Sequence, residues 1–229
     1  MTYFKNDIKF LNWLVFFIPF SLVLGSFVLN LNLILIGLFL ILYFFFNKDL
    51  KKYIKLKWIQ AAFAIFIYLL ISSVVNDAKI HSLIRSFGFI KFIFLCLALL
   101  IVFENNYKNF LLFLKILFFV TCFVIIDSLI QFTFGTNLFG NEYSNGRLSS
   151  VFGDEYVVGA FLAKTGFLVM ILPFLMIKNA KLKNLLIFLS LISFMSIILL
   201  SGERMASILF ITGIFLFYFI KSFENFRNF

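Results

Sequence analysis

The sequence predicts an all-α fold, a polytopic bundle of about eight transmembrane helices with residues 1–229 in a single helical domain. Hydrophobic residues make up 63% of the chain and charged residues only 13%. This apolar share far exceeds that of soluble domains, and it recurs in blocks long enough to cross a bilayer. The lipid bilayer is therefore the first predicted partner.

Eight apolar blocks predict the helices. They lie near 10–29, 31–46, 58–75, 84–103, 109–132, 156–177, 184–200 and 204–220. Each is close to the ~20 residues that a helix needs to cross the hydrocarbon core. Little more than Asn30 joins the first two, which predicts a tight hairpin because one continuous helix would overshoot the membrane. The first block is too long for a signal peptide and lacks a cleavage site, so we interpret it as an uncleaved span.

The lysines predict the orientation of the bundle. Twelve of them fall in segments on one side: Lys5, Lys9, Lys48, Lys51, Lys52, Lys55, Lys57, Lys108, Lys178, Lys181, Lys183 and Lys221. By the positive-inside rule that side is cytoplasmic, with both termini inside and segments 76–82, 134–153 and 201–203 outside. Because topology accounts for the net charge of +10, nucleic-acid binding is not expected.

The arginines do not follow the lysines. Only four of the 20 basic residues are arginine, and Arg85, Arg147 and Arg204 fall on the outer side, whereas Arg227 lies near the C-terminus. A guanidinium presents a rigid fork of donors that binds phosphate through two bonds and keeps its charge. The cluster predicts a membrane-bound phosphate ligand, although Arg147 alone could equally be solvated or reach the lipid headgroups.

Carboxylates accompany two of these arginines. Asp154 and Glu155 open the sixth predicted helix, where capping is the expected role of Asp154 and Glu155 is freer to act. Glu203 precedes Arg204 at the start of the last helix, where a Ser cap and a dipole-favoured Glu would be ordinary features. An arginine there opposes the helix dipole. Of all the residues considered, Arg204 is therefore the one that an ordinary role in helix stability explains least well.

Charged residues also lie inside the spans. Lys91 and Lys164 are expected to face the bundle interior or a polar cavity with Asp127, the candidate partner, because an intramembrane charge is costly in lipid. Lys115 is close enough to a span end to snorkel. His81, in an outer segment, is a weak candidate for a base and more often such a histidine is solvated. The two cysteines lie in apolar blocks, and no metal or nucleotide motif appears, so no metal or cofactor is predicted.

Two stretches resemble a known family. RLSSVFGDEYVVGAFLAK at 147–164 and LLSGERMA at 199–206 resemble, in order, the outer-face signatures of the O-antigen polymerase and O-antigen ligase family. The FGDE stretch with Gly159 is more similar to repeat-unit polymerases, and the SGER stretch is shared with ligase-like members. The resemblance implies metal-independent transfer of a glycan from undecaprenyl diphosphate to an acceptor sugar hydroxyl, at the periplasmic face of the bacterial inner membrane.

The resemblance also assigns roles to residues. Arg147 and Arg204 match the arginines thought to hold the diphosphate, and Glu155 or Glu203 is expected to deprotonate the acceptor. A supporting role in substrate binding is expected for four more residues: Arg85, Lys91, Asp154 and Lys164. Family members usually continue into a large periplasmic loop and further spans, so the match is expected to cover only the front part of a member.

Two alternatives stay open at the level of sequence. A flippase or transporter of lipid-linked oligosaccharides would also place basic residues near a headgroup, but it is expected to carry internal repeats with matched helix breaks, which the sequence lacks. The second alternative is that the chain is a truncated, non-catalytic membrane partner.

The placement of the lysines makes the topology testable. Reporter fusions after Phe229 and at Lys52 should both report a cytoplasmic location, because the lysine-rich segments stay on that side. A periplasmic signal from either fusion would contradict the predicted orientation.

Overall fold

A computed structural model of the protein describes residues 2–46, 51–75, 79–104, 106–144 and 146–227. Within these ranges the chain forms nine α-helices and no strand beyond two isolated β-bridges. The helices are α1 Thr2–Val23, α2 Ser26–Phe46, α3 Lys51–Ile54, α4 Lys57–Val75, α5 Lys79–Glu104, α6 Tyr107–Phe134, α7 Val158–Met176, α8 Ala180–Leu200 and α9 Arg204–Arg227. The all-α prediction is confirmed.

Eight of these helices correspond to the predicted spans. Among the described residues, six helices are long and apolar enough to cross a membrane: α2, α4, α5, α6, α7 and α8. The helices α1 and α9 contain shorter apolar segments, Lys9–Val23 and Arg204–Phe217. The chain is a multi-pass membrane protein, and its orientation stays a prediction. Lys48 and residues 76–78 of the first outer segment lie outside the described residues.

The break between the first two helices lies at Leu24 and Gly25, so the prediction of a turn at Asn30 is wrong. Gly25 has a φ of 110°, a conformation that glycine adopts without the steric cost of a Cβ atom, and such a residue commonly ends a helix. Asn30 lies inside α2 and its side chain accepts a hydrogen bond from Lys91. A polar residue in an apolar run therefore marked a contact between helices and not a turn.

Several other helix starts differ from the predicted ones, and α1 begins at Thr2 where the first span was predicted to begin near 10. Helix α5 begins at Lys79 and includes the polar residues that the sequence placed before the span at 84. Helix α8 begins at Ala180 because the side chain of Asn179 accepts hydrogen bonds from the backbone N–H groups of Lys181 and Leu182. This cap satisfies donors that would otherwise lack partners at the end of a helix.

The chain forms two compact units, Met1–Phe113 and Leu114–Phe229. In the first unit α2 and α5 pack together, α1 packs on both of them, and α4 packs on α5. Its core consists of aliphatic side chains that are almost completely buried, among them Leu11, Leu33, Ile36, Ile59 and Leu97. The single domain of residues 1–229 expected from the sequence stays a prediction.

In the second unit α7 packs against both α8 and α9. Two glycines allow aromatic side chains to lie close to the helix backbones. A Cβ atom on Gly213 would lie 2.5 Å from the ring of Phe167, and one on Gly166 would lie 3.3 Å from the rings of Phe194 and Phe210. Phe210 is completely buried, so these contacts form the centre of the α7–α9 packing.

A polar contact ties the short helix α3 to the end of α5. The Tyr53 hydroxyl donates a hydrogen bond of 2.6 Å to Glu104 Oε2, and the Tyr53 side chain is only 4% exposed. Burial, and then the hydrogen bond to the negatively charged Glu104, raise the pKa of Tyr53 well above its ordinary value. The neutral hydroxyl is therefore the form that the fold stabilises.

We expect Tyr53→Phe to lower the free energy of unfolding by about 1 kcal/mol at neutral pH, because the carboxylate loses a donor. The raised pKa of Tyr53 determines how this stabilisation changes with pH. The stabilisation is complete below the pH at which a free tyrosine ionises, about 10, and it is lost as the pH rises above that value. Thermal unfolding of the purified protein in detergent at pH 8 and pH 11 measures the loss of stability and its dependence on pH.

Tyr68→Phe is the matched control, because Tyr68 is 68% exposed and its hydroxyl has no partner among the described residues. Equal unfolding temperatures for Tyr53→Phe and the unmodified protein at pH 8 would contradict the assignment.

Candidate functional site

The segment between α6 and α7 is attached to α6 by a buried carboxylate. Asp127 is completely buried. One of its oxygens accepts hydrogen bonds from the Asn137 side-chain amide at 3.1 Å and from Ser150 Oγ at 2.6 Å. The other accepts one from Leu138 N at 3.0 Å. A buried carboxylate without such donors would cost several kcal/mol, so the segment and α6 depend on each other.

Gln131 adds a second attachment on the same face of α6, four residues after Asp127. Its side-chain oxygen accepts hydrogen bonds from Ser149 N at 3.1 Å and Ser150 N at 2.8 Å. Its amide donates to Ser149 Oγ at 3.1 Å and to the carbonyl groups of Asn141 and Glu142. A single buried side chain therefore satisfies backbone groups at two points of the segment.

Ser150 is the residue at which these bonds meet. Its φ of 47° lies in the left-handed region, which residues other than glycine rarely adopt. The backbone carbonyl of Ser150 accepts hydrogen bonds from the side chains of Asn137 and Asn141, at 2.6 and 2.9 Å. With Leu148 also completely buried, the chain just before Ser150 is fixed, and Arg147 leaves it as an exposed side chain.

The turn between α8 and α9 caps helix α7. Glu203 Oε1 accepts a hydrogen bond of 2.7 Å from Gly159 N, and Oε2 accepts one of 3.1 Å from Ala160 N. These N–H groups belong to the first turn of α7, where no intrahelical acceptor exists. The carboxylate also lies at the positive end of the helix dipole. A residue 44 positions away in sequence thus supplies the cap.

Glycine makes this cap possible. A Cβ atom on Gly159 would lie 2.5 Å from Ser201 Oγ and 3.1 Å from Glu203 Oε1. Gly202 has a φ of 73°, and a Cβ atom there would lie 2.7 Å from the carbonyl oxygen of Gly146 and 3.3 Å from Arg147 Cγ. The turn therefore contacts the start of α7 on one side and the chain at Arg147 on the other.

These contacts bring Arg147 next to the turn that leads into Arg204. Both arginines are exposed, and neither guanidinium has a hydrogen bond or an ion pair with the residues that the structure describes. The guanidinium carbon of Arg147 lies 5.9 Å from the centre of the Tyr156 ring. Tyr156 is itself held by a hydrogen bond of 2.6 Å between its hydroxyl and Ser144. We call Arg147, Tyr156 and residues 201–204 the arginine site.

The roles expected for the neighbouring carboxylates change. Asp154 does not cap the sixth span, because α7 begins at Val158 and Asp154 is exposed four residues before it. Glu203 is engaged by two backbone N–H groups and is not free. Glu155 is exposed, and its carboxylate has no partner among the described residues. Across the described ranges, no three His, Cys, Asp or Glu side chains group as metal ligands.

The charged residues of the first unit have separate surroundings. Lys91 Nζ donates a hydrogen bond of 2.6 Å to Asn30 Oδ1, so Asp127, whose partners all lie in the second unit, is not its observed partner. Asn30 is four residues from the start of α2, about 6 Å along the axis. Lys91 is therefore level with the start of α2, although it lies near the middle of α5. Arg85 and His81 are exposed on the first turns of α5.

Lys164 is exposed on α7 and does not lie in the packed interior, so the other expected location, a polar cavity, stays a prediction. Leu162, on the opposite side of the helix, is completely buried. Asp127 does lie in the interior, as expected.

Sequence reasoning missed the polar residues that fix the segment, above all Gln131, Asn137, Ser150 and Tyr156. The spacing of Asp127 and Gln131 was a usable signal, because residues four apart lie on one helix face. Two polar side chains on one face near the end of an apolar helix indicate an attachment point for the chain that follows.

The sequence matches no protein-family model, and comparisons with curated proteins and with solved structures found no match. The assignment of the arginine site depends on its own geometry and on the resemblance of the two short stretches.

We expect Gly159→Ala to destabilise the protein by about 1 to 3 kcal/mol, because the added methyl group would collide with Ser201 and Glu203 and displace the cap. Thermal unfolding and protease cleavage near the 201–204 turn measure the effect.

Gly88→Ala is the matched control, since a Cβ atom on Gly88 of α5 would have nothing within 4 Å. It should stabilise the helix slightly or have no effect. A Gly159→Ala protein as stable as the Gly88→Ala protein would show that the cap geometry is wrong.

Proposed function

We propose that the protein is a glycan polymerase or ligase of the O-antigen type, which transfers a glycan from undecaprenyl diphosphate to an acceptor sugar hydroxyl at the periplasmic face of the inner membrane. One observation carries the proposal. The contact of Gly202 with Gly146 and Arg147 brings together the two stretches that resemble the family signatures. Each stretch contributes an arginine whose guanidinium has no hydrogen bond or ion pair with the described residues.

Two arginines without a hydrogen bond or ion pair among the described residues, one in contact with the 201–204 turn and the other at its end, favour an anionic ligand. Their mutual repulsion is a cost in the empty protein, and an anion between them removes it. A diphosphate offers enough oxygen atoms to engage both guanidinium forks through paired hydrogen bonds. The first turn of α9 also lies at this site and its positive end adds to the same potential, whereas the positive end of α7 is offset by the Glu203 carboxylate. The cap by Glu203 leaves the guanidinium groups unpaired because its carboxylate is directed to Gly159 and Ala160.

The proposed reaction is a displacement at the anomeric carbon. The acceptor hydroxyl oxygen forms the new bond to that carbon, while the bond from the carbon to the diphosphate oxygen breaks and the diphosphate leaves with the electron pair. Arg147 and Arg204 would stabilise the charge that develops on it. Glu155 is the better candidate to take the hydroxyl proton, because the oxygens of Glu203 already accept two hydrogen bonds.

An assay with a lipid-linked repeat unit tests the function. The chain is reconstituted in vesicles with an undecaprenyl-diphosphate-linked oligosaccharide, and products are separated by size. Longer glycans together with released undecaprenyl diphosphate support transfer. Movement of an unchanged lipid-linked oligosaccharide across the bilayer would indicate a flippase, and neither result would indicate a non-catalytic partner.

We expect Arg147→Lys and Arg204→Lys each to reduce glycan transfer by about tenfold or more. Lysine keeps the positive charge but loses the planar fork that binds a diphosphate through two bonds, and a tenfold loss corresponds to about 1.4 kcal/mol in the transition state. Initial rates of transfer measure the loss, and the unfolding temperature should stay unchanged because both side chains are exposed.

Lys108→Arg, an exchange of the same pair of residues at the start of α6, is the control and should transfer at the normal rate. Full activity of both Arg→Lys variants would rule out a shared diphosphate site.

A further inference from the structure

A cavity lies between the second half of α7 and the middle of α8 and α9. Its volume is about 360 Å³, and it is lined by apolar side chains that include Phe167, Met170 and Phe174 of α7, Leu191 of α8 and Phe217 of α9. From Val158 to Phe167, the lining residue of α7 nearest to the arginine site, is nine residues, about 14 Å. The cavity is therefore separate from the arginine site.

The size and lining of the cavity call for an apolar occupant. Apolar cavities of about 150 Å³ stay dry and take up ligands the size of benzene, and this one has more than twice that volume. Packing inside proteins leaves few voids larger than a water molecule. Water would find no hydrogen-bond partners among these side chains. In a bilayer, the available apolar material is a hydrocarbon chain.

The lining of the cavity is most exposed near the lysine-rich turn between α7 and α8. Met170 is 7% exposed, whereas Phe174, one helical turn closer to that segment, and its ring neighbour Phe217 are 39% and 44% exposed. Lys183 Nζ lies 5.6 Å from the centre of the Phe174 ring, so a cation lies beside this exposed part of the lining. Lys178 and Lys181 are exposed on the same turn. An apolar cavity with a cation beside it is complementary to a molecule with an anionic head and a hydrocarbon tail.

We propose that this cavity binds one acyl chain of an anionic phospholipid, from the leaflet on the lysine-rich side, with the lipid phosphate on Lys183. Basic pockets between transmembrane helices are a known way of binding anionic headgroups, and each lysine near such a headgroup adds to the affinity. The contact with the Phe174 ring places the Lys183 ammonium beside the cavity, from where it can reach a lipid phosphate at the interface. The proposal is independent of glycan transfer.

Native mass spectrometry of the delipidated full chain in detergent tests the site. The protein is titrated with phosphatidylglycerol and with phosphatidylcholine that carry identical acyl chains. We expect tighter binding of phosphatidylglycerol, and a loss of about fivefold in that binding for Lys183→Gln, which removes one cation from the headgroup. Leu191→Trp fills the cavity and should reduce the binding of both lipids.

Each variant has a matched control. Lys181→Gln removes a charge from the same turn, but Lys181 makes no ring contact, so it should lose clearly less affinity than Lys183→Gln. Ile192→Trp adds the same ring beside Leu191, at a position that is 47% exposed and outside the cavity, and should bind lipid normally.

Equal binding of the two lipids, or unchanged binding by Lys183→Gln, would overturn the proposal. So would equal losses in the two lysine variants, which would indicate a general effect of surface charge. Should Leu191→Trp fail to fold, the comparison of lipids and the exposed lysine variants decide the question alone.

Discussion

The cap that Glu203 provides for α7 is the interaction on which the second unit depends. Helix α7 begins directly after the segment that carries Arg147, and none of the residues just before it supplies a side-chain cap. Its first N–H groups would cost free energy if they lay buried without acceptors. The acceptor comes from the turn between α8 and α9. The hydrogen bonds to the first N–H groups of α7 therefore fix that turn, and with it the position at which Arg204 begins the last helix. One carboxylate thus couples helix stability to the geometry of the arginine site.

Asp127 and Gln131 provide the same kind of coupling from the other side. Their side chains satisfy the backbone of the segment that connects α6 to α7, including Ser150 in its left-handed conformation. A segment held by so many bonds at one point cannot shift without losing several of them together, which favours a single arrangement. Arg147 is therefore presented by a rigid support, as binding groups need to be if they act without reorganisation.

The sequence alone determined most of the helices and the candidate arginines. Apolar blocks near the length of a bilayer crossing predicted the eight long helices, because hydrophobic burial and backbone satisfaction in lipid leave a chain few alternatives. Arg147 and Arg204 were identified because arginine is rare in this chain and because both lie in the two short stretches that resemble a family. That reasoning identified residue types and neighbourhoods along the chain, and it placed both residues on the outer side of the predicted bundle.

Only the tertiary structure decided which partner each polar group has. Asp154 precedes α7 in sequence and was expected to cap it, yet the cap comes from Glu203, and Lys91 bonds to Asn30 where Asp127 was expected. Gly25, and not Asn30, turns the first hairpin. The reason is physical: a hydrogen bond depends on an approach of about 3 Å, and in a helical bundle that approach is set by which helix faces pack and where a glycine lets backbones come close. Sequence separation carries no information about either.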